Sequence, residues 1–161
     1  LLAANYMLLV EAQGWWLPFY RKRFPEDMDA FFAEAIPIVE RFSQTEGNEK
    51  YREQVLTMRS LRAIRFIEKQ DFARAYPHIV EALACYPPIE KVDEDNRDIW
   101  CILKSGLLFY SCIYLKNRDL ALKALDDLQR ARNLYPTLAE AKRFAKVGRD
   151  ILEEMDRENL W

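Results

Sequence analysis

His78 is the only histidine in the sequence. An acid–base or nucleophilic site built on it would need the imidazole turned toward a hydroxyl, thiol or carboxylate. Cys85 lies seven residues further on, and nothing in its surroundings marks the thiol as activated. His78 therefore reads as a solvated or core-edge side chain. One histidine and the scattered Cys85, Cys101 and Cys112 give no metal-ligand spacing, so neither a metal nor a cofactor is expected. Asp93-Glu94-Asp95-Asn96-Arg97-Asp98 has the acid density of a calcium loop. Arg97, however, stands at its fifth position, Asp98 where glycine is required, and Lys104 at the closing glutamate. The stretch reads as a solvated linker with helix caps. No glycine loop of the GxGxxG or GxxxxGK type occurs to cradle phosphate. Asp126-Asp127 and Glu153-Glu154 are sequence neighbours that point apart on a helix, unlike paired catalytic carboxylates.

Two cationic stripes and one aromatic cluster remain as surfaces that could bind. Arg59, Arg62, Arg65 and Lys69 form a slowly turning stripe, and Lys142, Lys146 and Arg149, with Arg143 beside them, form another. Guanidinium forks match carboxylates, so either stripe could grip an acidic peptide or a C-terminal carboxylate; solvated helix faces are the plain alternative. Trp15, Trp16, Phe19 and Tyr20, followed by Arg21-Lys22-Arg23, could dock on a membrane surface, a missing domain or a second copy. They could equally cover the first helix pair. The formal net charge is −2, and acids interleave the cations, so nucleic acid is not an expected partner.

The elements that position these residues are helical. The chain has 161 residues, 50% hydrophobic and 31% charged, with four glycines, too few for the tight turns of an all-β protein. Its length suffices for one domain with a core. Seven helical segments can be placed from apolar spacing: roughly 2–13, 25–42 with Pro37 kinking or breaking it, 48–69 capped by Asn48, 71–86 capped by Asp71 and bent by Pro77, 98–114 capped by Asp98 or Asp95, 119–134, and 137–157. Thr137-Leu138-Ala139-Glu140 matches a capping box for the last. Pro87-Pro88 is a hard stop, and 89–97 is the expected long connection. Cys85, Cys101 and Cys112 sit among apolar residues and read as small core side chains in a reducing, cytoplasmic compartment. No hydrophobic run reaches the length of a membrane span. The apolar start, Leu1–Val10, lacks a basic n-region and a cleavage site, and the absence of an initiating methionine suits an excised or processed domain.

Ala75, Ala82 and Pro87 are separated by seven and then five residues, as are Ala124, Ala131 and Pro136. Small residues seven apart lie on one helix face and admit a close partner, and the proline stops the helix. With Ala63 and Phe66 ahead of it, Gln70-Asp71-Phe72 opening the second helix, and Ile79 in register, this pattern resembles the second half of a tetratricopeptide repeat. Arg59 and Arg62 depart from the tryptophan and leucine of that motif. In the second unit Leu128 fits, but two registers compete for the first half: one uses Leu108, Ser111, Cys112 and Leu115, the other Trp100 and Leu103. Pro87 and Pro136 are 49 apart rather than one repeat length, so an insertion separates the units.

The resemblance implies an all-α fold of antiparallel helix pairs stacked as a short right-handed solenoid. A single domain over 1–161 would then contain a diverged pair (1–44), two repeats (48–87 and 98–136) and a capping helix (137–157). In such stacks the first helix of each pair lines a concave groove. The implied groove residues are Thr57, Ser60, Ile64 and Ile67, then Phe109, Ile113 and Lys116, with Arg59 and Arg62 at the rim. The function implied is a protein–protein interaction scaffold capturing a peptide or protein partner, without catalysis of its own. An accessory helical domain of a larger enzyme, a transferase for example, is the alternative.

Overall fold

The computed structural model describes residues 27–161, which contain six α-helices and no strand. The expected helix over 2–13 and the Trp15, Trp16, Phe19, Tyr20 cluster lie outside them. The helices are α1 (Asp27–Ser43), α2 (Arg52–Glu68), α3 (Phe72–Cys85), α4 (Arg97–Tyr110), α5 (Arg118–Leu134) and α6 (Ala139–Arg157). The protein divides into two compact units, 1–62 and 63–161, with the boundary inside α2.

In the first unit, Phe32, Ala35, Ile36 and Val39 of α1 bury one face with Val55 and Met58 of α2. Pro37 leaves α1 a single helix, so the expected break is absent. Arg59 and Arg62 do not form an exposed stripe. Arg59 pairs with Glu40 at 2.8 Å and Arg62 with Asp29 at 2.7 Å, their side chains only 17% and 20% exposed. An arginine at a half-buried position needs a carboxylate partner and folds its methylenes into the packing. Arg65, the next in that series, is itself buried.

In the second unit α4 is central and packs on α3, α5 and α6, while α5 and α6 also pack on each other. The apolar faces follow helical spacing: Ala75, Ile79 and Ala82 on α3; Ala121, Ala124, Leu125, Leu128 and Ala131 on α5; Ala141, Ala145, Gly148, Leu152 and Met155 on α6. Glu94–Leu115 is long and apolar enough to cross a bilayer by length and composition, yet Trp100, Leu103 and Leu108 are all within 4% of full burial. Those three side chains belong to the core of this unit.

Helix ends differ from the sequence reading in several places. Asp71 caps α3 as expected, its carboxylate accepting from Arg74 N–H at 3.2 Å. Asn117, for which no role was expected, caps α5 through Leu120 N–H. The Thr137–Glu140 capping box does not form, since α6 opens after Leu138 with no side-chain hydrogen bond at its N-cap. Neither Asp95 nor Asp98 caps α4, which follows Asn96 and a 3-10 turn. The connection over 89–97 is not merely solvated: Ile89 and Val92 are buried, and Tyr135 Oη donates to the Ile89 carbonyl at 3.4 Å. Two apolar residues spaced across a short 3-10 turn suffice to pin it.

Candidate functional site: an apolar cleft across α2, α4 and α6

Beyond Tyr110 the α4 helix widens into a π turn over Ser111–Leu115, closed by Lys116 in the left-handed region at φ 49°. Ser111 and Cys112 stay buried, and Ile113, Tyr114 and Leu115 emerge at 50%, 51% and 42% exposure. Single π turns within α-helices often mark functional positions. Tyr114 stacks on Tyr110 at 5.1 Å, and Tyr110 on Tyr76 of α3 at 4.2 Å, a ladder that holds the turn against α3.

On another side of α4 lies a cleft of about 530 Å³. The end of α2 contributes Ile64 and Ile67, with Glu68 and Gln70 at the edge; α4 and its π turn contribute Ile102, Phe109 and Ile113. Arg143, Phe144 and Ile151 close it from α6, and Phe72 joins from the start of α3, tilted against Phe109 at 5.5 Å. Ser105 reaches the wall, but its hydroxyl donates to the Ile102 carbonyl at 2.7 Å. Arg143 is 69% exposed; its guanidinium lies 5.2 Å from the Phe144 ring and 3.8 Å from Glu140. The cleft thus offers apolar burial with an exposed cation and a carboxylate at its mouth.

Four of the nine groove residues read from sequence, Ile64, Ile67, Phe109 and Ile113, line this cleft. The others lie elsewhere. Thr57 and Ser60 sit on the part of α2 that belongs to the first unit and donate to the carbonyls of Glu53 and Leu56; Ser60 is fully buried. Arg59 and Arg62 are held in the first unit by Glu40 and Asp29. Lys116 is exposed beyond the π turn and is not part of the lining. Sequence reasoning did not assign Phe72, Ile102, Phe144 or Ile151 to a site, and it placed Arg143 beside the basic stripe of the last helix rather than in the groove. Phe144 and Ile151 carried a signal, since both belong to the apolar stripe of the last helix.

Two of the three thiols are buried, Cys101 and Cys112. Burial pushes the Cys101 thiol up to about 12, reinforced by Asp98 and Glu140, and burial pushes Cys112 up to about 11 against the opposing charge of Lys116. Cys85, expected in the core, is exposed near the end of α3 with its Sγ 3.4 Å from the Glu81 carbonyl. The helix face that reaches the core is the one through Ala75, Ile79 and Ala82, and Cys85 falls off it. His78 stacks on Phe66 at 5.6 Å. Among the described residues no three His, Cys, Asp or Glu side chains converge as metal ligands. No protein-family model matches this sequence, and neither does any curated protein or solved structure.

Proposed function

We propose that the second unit is a tetratricopeptide-like stack of antiparallel helices, and that its cleft captures a peptide segment of a protein partner. The observation that carries this reading is the composition of the cleft: residues from α2 and α4, each the first helix of a pair in that scheme, meet residues of the closing helix α6 across one apolar furrow. The small residues meant for pair seams support it, because Ala75, Ala82, Ala124 and Ala131 are all at most 1% exposed. So does the packing of α4 on α6 as well as on its sequence neighbours. A volume of about 530 Å³ admits two or three apolar side chains of an amphipathic helix or extended strand, the anchors of such recognition. The lining favours binding over chemistry, since its side chains are aliphatic or aromatic apart from Ser105, Gln70, Glu68 and Arg143.

Ile113 is the position at which to test this, because it is half-exposed whereas Ile64 is 5% exposed, so an aspartate at Ile113 leaves the core untouched. Peptide-display selection on the parent protein should enrich sequences with apolar residues at helical or alternate spacing. Those peptides should bind Ile113→Asp at least ~tenfold more weakly, a loss of about 1.4 kcal/mol, at unchanged helicity. Equal binding to parent and variant would refute the cleft as the site.

A further inference from the structure

A second surface occupies another face of α6. At about 100° per residue, Lys142, Lys146, Arg149 and Glu153 fall along one stripe, turned away from Arg143, Phe144 and Ile151. Arg132, near the end of α5, meets this stripe, and together with Asp150 these residues line a shallow furrow of about 460 Å³. Every lining side chain is ionisable, four cations against two carboxylates. Lys146 is matched by Asp150 at 3.1 Å on its own helix. The Arg132 guanidinium reaches the Asn133 amide oxygen, a neutral group, at 3.5 Å. Among the described residues, the side chains of Lys142 and Arg149 have no ion-pair or hydrogen-bond partner.

We propose that this furrow holds an acidic peptide segment, with carboxylates bridging Arg132, Lys142 and Arg149. Charge complementarity selects that occupant. A protein of net charge −2 here concentrates unmatched cations from two helices, and guanidinium groups pair with carboxylates through two parallel hydrogen bonds. Asp150 and Glu153 inside the furrow would repel the closely spaced phosphates of a nucleic acid, whereas a peptide can set a neutral or basic side chain opposite them. An anionic membrane surface fits less well, because the furrow lining carries no apolar side chain to insert. The furrow stands independently of the cleft, sharing none of its lining residues.

The test is fluorescence anisotropy on the intact protein with a labelled glutamate-rich peptide, beside a lysine-rich peptide of equal length and an oligothymidylate. The glutamate-rich peptide should bind alone among the three and weaken as salt shortens the Debye length from ~14 Å to ~6 Å. Its affinity should fall at least ~tenfold in Lys142→Glu/Arg149→Glu, by less in Lys142→Gln/Arg149→Gln, and not at all in Ile113→Asp. Both lysine and arginine positions are exposed, so helicity should be equal in all variants. Absence of binding by the parent, equal binding by the charge-reversed variant, or a preference for oligothymidylate would each overturn the proposal.

Discussion

Replacing Gly106 with alanine should destabilise the second unit, although alanine is the better helix former. Gly106 lies mid-way along α4, where the exchange alone is worth about 0.8–1 kcal/mol in favour of alanine. The opposing effect is steric. A Cβ at Gly106 would stand 2.7 Å from Ile67 Cδ1, 3.0 Å from Ile67 Cγ1 and 2.8 Å from Ile79 Cδ1. The Cδ1 of the partly buried Ile67 can rotate away, but its Cγ1 is fixed by a β-branched χ1 that is stiff in a helix. Ile79 is fully buried, so its terminal methyl has no void to enter. Overpacking of this kind costs about 1–3 kcal/mol, which leaves a net loss of up to roughly 2 kcal/mol after the propensity gain. Urea unfolding followed by circular dichroism would read it as a lower midpoint at unchanged slope. The mechanism has its own check in the pair Gly106→Ala and Ile67→Ala, since alanine removes both the Cγ1 and the Cδ1 that the new Cβ meets. The double variant should be more stable than the two single losses sum to, a coupling of about 0.5–1 kcal/mol. Stability of Gly106→Ala at or above the parent, or strict additivity in the pair, would refute the close approach of α4 to α2 and α3.

Two further outcomes follow from the thiols and from the end of α6. The native protein at mildly alkaline pH should present one fast thiol to a chromogenic disulfide reagent, that of Cys85, because Cys101 and Cys112 are buried with thiols raised to about 12 and 11; three fast thiols in the native state would contradict that burial. Asp156 accepts from Arg118 Nε and Nη2 at 2.8 and 2.9 Å and from Trp161 Nε1 at 2.6 Å, and these hydrogen bonds, that of Arg118 first, hold its carboxyl down at about 2. A depressed carboxyl stabilises the folded state above its unfolded value near 3.8 and loses that contribution as pH falls toward 2. The emission change assigned to Trp161, taken as parent minus Asp156→Asn, should therefore titrate below pH 3; a transition centred near pH 4 would refute the clip.

How much of this was legible in the sequence depends on the range of the interactions involved. The alanine spacing was readable because close helix packing demands small residues locally, and Ala75, Ala82, Ala124 and Ala131 are buried where that spacing placed them. Pro87 and Pro136 fall just past the ends of α3 and α5, as a residue without an amide hydrogen should. The arginine stripe misled because its partners are distant: Glu40 lies 19 residues from Arg59, and Asp29 lies 33 from Arg62. A stripe read on one helix cannot reveal the carboxylates of another. The capping box failed for the opposite reason, since a local motif states only that two hydrogen bonds are available, and packing of α6 sets where its first turn begins.

The contest between two registers over the fifth predicted helix arises because that helix is buried on several sides. Trp100 and Leu108, the leading residues of those registers, are eight residues apart, about 80° out of phase on a helix of 3.6 residues per turn. Trp100, Leu103 and Leu108 are nevertheless all buried within one α-helix, because α4 packs on α3, α5 and α6, so neither register alone describes its apolar face. The π turn follows, burying Ser111 and Cys112 and exposing Leu115. An i→i+5 turn holds one residue more than an i→i+4 turn, so it shifts the phase of the residues after Tyr110. That shift places Ile113 at the mouth of the cleft while Tyr114 stays on the tyrosine ladder, and so delivers an exposed apolar side chain to the candidate site.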